Sequence, residues 1–244
     1  MIAPLRDVWT TLVPAPHDRH GPLPPLLIAL TVVTGLVDAF SYLLLGHVFV
    51  ANMTGNVVFM AFSLAGAASF SLWASVVSLL AFATGALLGG RIANRFPAHR
   101  GRMLLGTALT ETFFVVAACV CGAVASEPFT GAGRYLLIAL LGLGMGAQNA
   151  AARRLAVPDL TTTVLTMTIT GVAADGRLAG GSDGKVGRRL LSAASMFLGA
   201  LIGAITALHA SATLPLLFAS LILTGTVVAV AFHARSTQPW TRPS

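Results

Sequence analysis

Six stretches of this chain, 25–46, 71–90, 103–125, 135–152, 190–208 and 213–232, stay apolar for about 18 to 23 residues, enough for a helix to cross the hydrocarbon of a bilayer. Backbone N–H and C=O groups find no water in lipid, so a spanning segment must satisfy its own hydrogen bonds, and runs of this length read as helices. Composition agrees. Of 244 residues, 56% are hydrophobic and 9% charged, with a mean hydropathy of +0.84, where a soluble chain carries about 25% charged residues. The expected fold class is all-α, a polytopic membrane helix bundle.

A net charge of +7 would point a soluble protein towards nucleic acid. Here the arginines cluster in short loops between apolar runs, where they set topology, so no nucleic-acid partner is expected. With six crossings and a cytoplasmic N-terminus, every basic residue except Arg134 falls inside, and both termini are cytoplasmic. Eight crossings would scatter the same residues over both sides. The positive-inside rule therefore selects six. Residues 1–23 and 234–244 read as cytoplasmic tails, the first a flexible one with mixed charges and four prolines before residue 23, and 24–233 as a single membrane domain. Cys119 and Cys121, two apart in one apolar run, turn to different helix faces and cannot pair with each other.

Two shorter apolar segments, 54–67 (TGNVVFMAFSLAGA) and 161–174 (TTTVLTMTITGVAA), are rich in Thr, Asn and Gly and read as re-entrant. Each follows a long span and precedes two more, so the chain divides near Pro128 into halves 24–127 and 128–233. Three crossings per half place the second half upside down relative to the first. A shift of the sequence pairs Gly35-Leu36 with Gly142-Leu143, Asn52 with Asp159, Thr54 with Thr161 and Met60 with Met167. The expected architecture is thus six transmembrane helices plus two short ones, in two inverted-topology halves, a recurrent transporter plan.

The first short segment descends from the outer face over 47–53 and returns as a helix from mid-depth. Its counterpart enters from the cytoplasmic side after Pro158. Two helix N-termini, each with free N–H groups and about half a positive charge, then approach the centre and suit an anionic or polar solute. Thr54, Gly55, Asn56, Thr161, Thr162 and Thr163 are the expected lining, with Asn52 and Asp159 at the helix starts and Gln148 and Asn149 completing a polar interior. Thr and Gly also serve close packing and bonds to their own backbone, with no ligand needed. Asp38 and Glu111 are the acids well inside the long spans, and each is a candidate to carry a coupling proton. Each has a structural alternative. Asp38 can cap or bridge to Asn52 or Asn56, and Glu111 lies about two turns from a basic loop.

Other motifs are silent. Gly85/Gly89, Gly142/Gly146 and Gly199/Gly203 are small-residue pairs at the spacing for close helix approach. The loop Ala179–Arg189 fails as a phosphate loop, since Ala179 stands where its first glycine belongs and Val186 where it needs Ser or Thr. No HExxH, GxSxG or paired metal-ligand spacing occurs, so no metal, no cofactor and no enzymatic activity are expected.

GLVDAFSYLLLGHVFVANMTGN (Gly35–Asn56) and GLGMGAQNAAARRLAVPDLTTTVLT (Gly142–Thr166) resemble the two characteristic stretches of the YoaK-type family, bacterial multi-pass membrane proteins with an uncharacterised domain. The likeness spans roughly residues 24–233, and Met53 stands where the family often has Gln. The resemblance implies an integral protein of a bacterial inner membrane and no established activity. Two functions follow as expectations: a small-solute secondary transporter or permease with its site between the broken helices, or a structural or partner-binding membrane protein whose polar interior locks the helices. Lipid and an unidentified solute are the expected partners, and a second copy of the chain is a candidate third, to shield a pathway that six helices enclose poorly.

Overall fold

The computed structural model describes residues 3–15, 18–125, 127–160, 170–171, 173, 186–234 and 238–242, and all regular structure among these is helical. The helices are α1 (Ala3–Leu12), α2 (Leu23–Leu44), α3 (Met53–Leu64), α4 (Leu72–Arg95), α5 (Arg100–Val124), α6 (Gly131–Leu155), α7 (Val186–His209) and α8 (Leu214–His233), followed by a 3₁₀ turn (Pro239–Thr241). Six of them, α2 and α4 to α8, are long and apolar enough to cross a membrane, and they are the six expected from sequence. Several begin earlier than the apolar run. α5 starts at Arg100 and α7 at Val186, because a helix needs its hydrocarbon core apolar but continues into the interface, where arginine is tolerated.

The long helices alternate in direction between two ends. At one end Gly21 and Gly101 both pack on Trp240, and Arg100 donates to the carbonyl of Leu155, the last residue of α6. At the other, Arg134 at the start of α6 donates to Ser71, the N-cap of α4, at 3.3 Å and lies over Gly46 after α2. The first is the tail end, the second the far end. α2, α6, α5 and α8 pack in a ring, with α4 laid against α6 and α7 against α2. α2 and α6 are the most enclosed and carry most of the large, fully buried side chains.

Glycine sets the closest contacts. A Cβ on Gly85 of α4 would run into the Leu143 carbonyl of α6, and one on Gly199 of α7 into the Val32 carbonyl of α2. Lipid tails are as apolar as leucine, so association in the membrane depends on such backbone approach rather than on a hydrophobic drive. The outer faces of α4, α5, α7 and α8 expose Leu80, Phe113, Phe197 and Phe232, consistent with lipid as their solvent.

Described residues of both terminal segments pack on the bundle. Residues 3–12 form α1, which rests on α7 and the start of α2, with Thr11 fully buried and 3.3 Å from Nε of Arg188. The reason is a helical pattern inside a charged segment: Leu5, Trp9 and Leu12 recur at one face, and that face is the exposed one. At the other terminus Trp240, 3% exposed, wedges between Gly21, Gly101 and the ring of His233.

Candidate functional site

The break after α2 begins with two left-handed residues, Gly46 (φ +86°) and His47 (φ +56°), which fold the chain back along the helix it has just left. His47 tolerates this conformation in a fixed setting. Its Nδ1 lies 3.0 Å from the carbonyl of Ser69, and its ring meets Tyr42 edge-on at 5.1 Å. Residues 48–52 then run without a helical partner, and their backbone groups would be orphaned in an apolar interior.

Two side chains from the motif supply the missing bonds. Asp38, 3% exposed, accepts the N–H groups of Val50 and Ala51 on Oδ1, each at 2.9 Å, and the Asn52 amide on Oδ2. Asn56, fully buried, pairs with Phe49 twice, accepting its N–H at 2.9 Å and donating to its carbonyl at 2.7 Å. Ser78 of α4 adds a third bond, donating to the same carbonyl at 2.6 Å. Tyr42 stacks on Phe49 at 5.0 Å, and Phe59 closes on both rings. Asp38 is therefore the structural bridge that formed one of its two sequence readings.

α3 starts at this anchor. Its N-cap residue is Asn52, whose side chain is turned to Asp38 and makes no cap hydrogen bond. Thr54 there is exposed, and Gly55 packs where a Cβ would come 2.7 Å from the Phe49 ring. The helix leaves by the end at which the chain entered, since His47 before it and Ser69 after it are in contact. Its start is shallower than mid-depth. Asp38 lies about 9 Å below Leu44 at the rise of an α-helix, whereas the midpoint of α2 lies about 16 Å below it. The tie to Asp38 holds the descending strand at that level.

The remaining predicted residues do not join this group. Asp159 (φ +63°) lies beyond α6 at the tail end and is paired with Arg189 at 2.9 Å. Asn149 donates back to the carbonyl of Met145 in its own helix at 2.9 Å. Thr161, Thr162 and Thr163 lie outside the described residues, as does most of the segment 161–174. Gln148 is different. It is buried at mid-bundle and donates to Thr34 of α2 at 2.8 Å, linking the two most enclosed helices, while its Oε1 has no partner among the described residues.

Glu111 occupies the same interior. It is 1% exposed, and its Oε1 has no hydrogen-bond partner among the described residues. Its backbone faces Gly144 of α6, one turn from Gln148, where a Cβ would stand 3.5 Å from the Glu111 carbonyl oxygen. The two acids thus differ sharply: one is consumed by the scaffold and the other is spare. Thr34 and Ser78 were not among the residues expected from sequence. Ser78 was legible as the last of Ser71, Ser75 and Ser78, a polar line at helical spacing in α4.

A family of proteins of unknown function, DUF1275, matches residues 26–230. The chain is 32% identical over 157 residues to the UPF0700 transmembrane protein YoaK of Bacillus subtilis (strain 168), covering 63% of this chain and 68% of that protein. No solved structure matches. With a broken-helix motif inside the matched region and six long apolar helices across it, the chain belongs to the DUF1275 family, the YoaK-type multi-pass membrane proteins of unknown function.

Proposed function

We propose that the protein is a secondary transporter or permease of a bacterial inner membrane, moving a small anionic or polar solute past the N-terminus of α3, with both chain termini cytoplasmic. The observation that carries this reading is the helix that begins inside the bundle and leaves by its entry side, held by a buried carboxylate and a buried amide. A scaffold gains nothing from so costly a break. A helix start offers free N–H groups and about half a positive charge, and here no side chain caps it.

The packing of the long helices supports two inverted halves. Gly142 of α6 sits against Ala81 and Phe82 of α4, and Gly35 of α2 against Gly199 and Ala200 of α7. One turn on, Gly85 meets Leu143 while Gly203 meets Leu36. The offset that takes Gly35 to Gly142 takes Leu36 to Leu143, and the offset that takes Ala81 to Gly199 takes Gly85 to Gly203. Each half therefore lends its first long helix to the other half's second.

In this reading Glu111 carries the coupling proton. Asp38 is held by three donors, so neutralising it would undo the anchor of α3, whereas Glu111 has an oxygen without a partner among the described residues and a mid-bundle position facing Gly144, one turn from Gln148. No other titratable side chain of α4, α6 or α8 is buried at this level among the described residues.

The test is uptake by proteoliposomes over a panel of inorganic anions and polar metabolites, with and without an inward proton gradient. The native protein is expected to accumulate at least one solute when the gradient is present, and Glu111→Gln to lose the response to the gradient while still exchanging solute. Native protein inert across the panel would end the transport reading. It would favour the alternative, a partner-binding membrane protein, which the exposed outer face of α3 (Val57, Val58, Phe62 and Leu64) specifically supports.

A further inference from the structure

The ends of α4 and α6 and the start of α5 converge at the tail end around a cavity of about 230 Å³, walled by Phe96, Pro97, Arg100, Met103, Arg154 and Ala156. Arg100 is 6% exposed, a rare state for an arginine unless it is paired. Its side chain makes one hydrogen bond among the described residues, to the carbonyl of Leu155, which leaves most of the guanidinium's five N–H donors for another acceptor. Arg154 reaches the same cavity from the last turn of α6.

Among the described residues no carboxylate pairs with Arg100 or Arg154. The sequence has no Asp or Glu between Asp38 and Glu111, nor between Glu127 and Asp159, while Arg91, Arg95, Arg100, Arg102, Arg153 and Arg154 fall in those intervals. Asp159 is already held by Arg189. The charge of Arg100 is felt beyond the cavity: burial first, and then Arg100, hold the His20 imidazole below its usual range against the opposing charge of Asp18. Exposed arginines at a loop need no explanation beyond topology, because they are solvated and orient the chain. A buried one lining a cavity does, since it can be stabilised there only by anionic or strongly accepting groups.

We propose that this cavity binds a phosphate group, with Arg100 and Arg154 as its cationic contacts. The volume admits a phosphate with several waters, and two guanidiniums match its oxygens in a bidentate geometry that lysine could not supply. The walls add a second criterion. Phe96 and Met103 give the cavity an apolar side at the ends of the long apolar helices, where a lipid phosphate and its first methylenes could enter together. The phosphate is carried by an anionic lipid of the leaflet or arrives free from solution.

The two sources separate in one experiment on the full-length protein. Delipidated protein in detergent is titrated with phosphatidylglycerol, with phosphatidylcholine and with inorganic phosphate, reading retained lipid by native mass spectrometry and thermal stability in parallel. Arg154→Gln removes one contact, and Arg102→Gln removes the same charge from an exposed neighbour outside the cavity. The expected result is phosphatidylglycerol retained by the native protein and by Arg102→Gln, with about tenfold or more weaker retention in Arg154→Gln and no retention of phosphatidylcholine. Stabilisation by inorganic phosphate, lost in Arg154→Gln, would assign the site to the free anion. Equal behaviour of the two variants, or no effect of any phosphate compound on the native protein, would overturn the proposal.

Discussion

Asp38 spends both carboxylate oxygens on three donors from one turn of chain, so its charge is a substitute for the backbone acceptors that a helix would have offered to Val50 and Ala51. Removing it leaves buried N–H groups that cost about 1–3 kcal/mol each. Asp38→Ala is therefore expected to lower stability by several kcal/mol in a detergent unfolding titration, and Asp38→Asn by only about 1–2, since one amide oxygen can still accept from both backbone groups. A larger loss for Asn than for Ala would contradict this account. The polar residues of the motif were legible because they interrupt apolar sequence. Their partners were not, since the backbone of 49–51 becomes needy only through the turn at Gly46 and His47, and Ser78 arrives from a helix far along the chain.

Among the elements, length and hydropathy located all six long helices, because a bilayer imposes one dimension on every spanning segment. Packing is where the glycines differ from one another, and sequence alone treats them alike. A Cβ on Gly85 meets backbone of α6 at once, while one on Gly225 of α8 meets nothing within 4 Å. Gly85→Leu should accordingly lose about 1–3 kcal/mol or more in thermal or denaturant unfolding, with Gly225→Leu near neutral as its control. Equal losses in the two would show that α4 and α6 are not held by this approach. α1 was missed for a different reason. Charge and proline in this segment mask the recurrence of Leu5, Trp9 and Leu12, which is an amphipathic pattern with its apolar face left outward.

For the molecule as a whole, the alternation of the six long helices fixes which loops share an end. Ala67, after α3, and Glu127, after α5, are exposed together at the far end, and Arg95 is exposed at the tail end. With Cys119 and Cys121 replaced by alanine, Ala67→Cys and Glu127→Cys should react with an impermeant maleimide from one side of the membrane and Arg95→Cys from the other only. Ala67→Cys reacting with Arg95→Cys would convert α3 into a full crossing and remove the basis of the candidate site. The overall plan was readable from runs and charges, whereas the shallow start of α3 was not, because depth depends on which rung of α2 the descending strand is tied to. Trp240 adds a constraint of another kind. Its indole sits over the residue leading into the first long helix, over the start of α5 and beside the end of α8, so the final folded turn acts as a latch across both halves. On the proposed transport reading, any rocking that parts the bundle on that side has to withdraw this ring first, which would make Trp240 a brake on motion between the two ends.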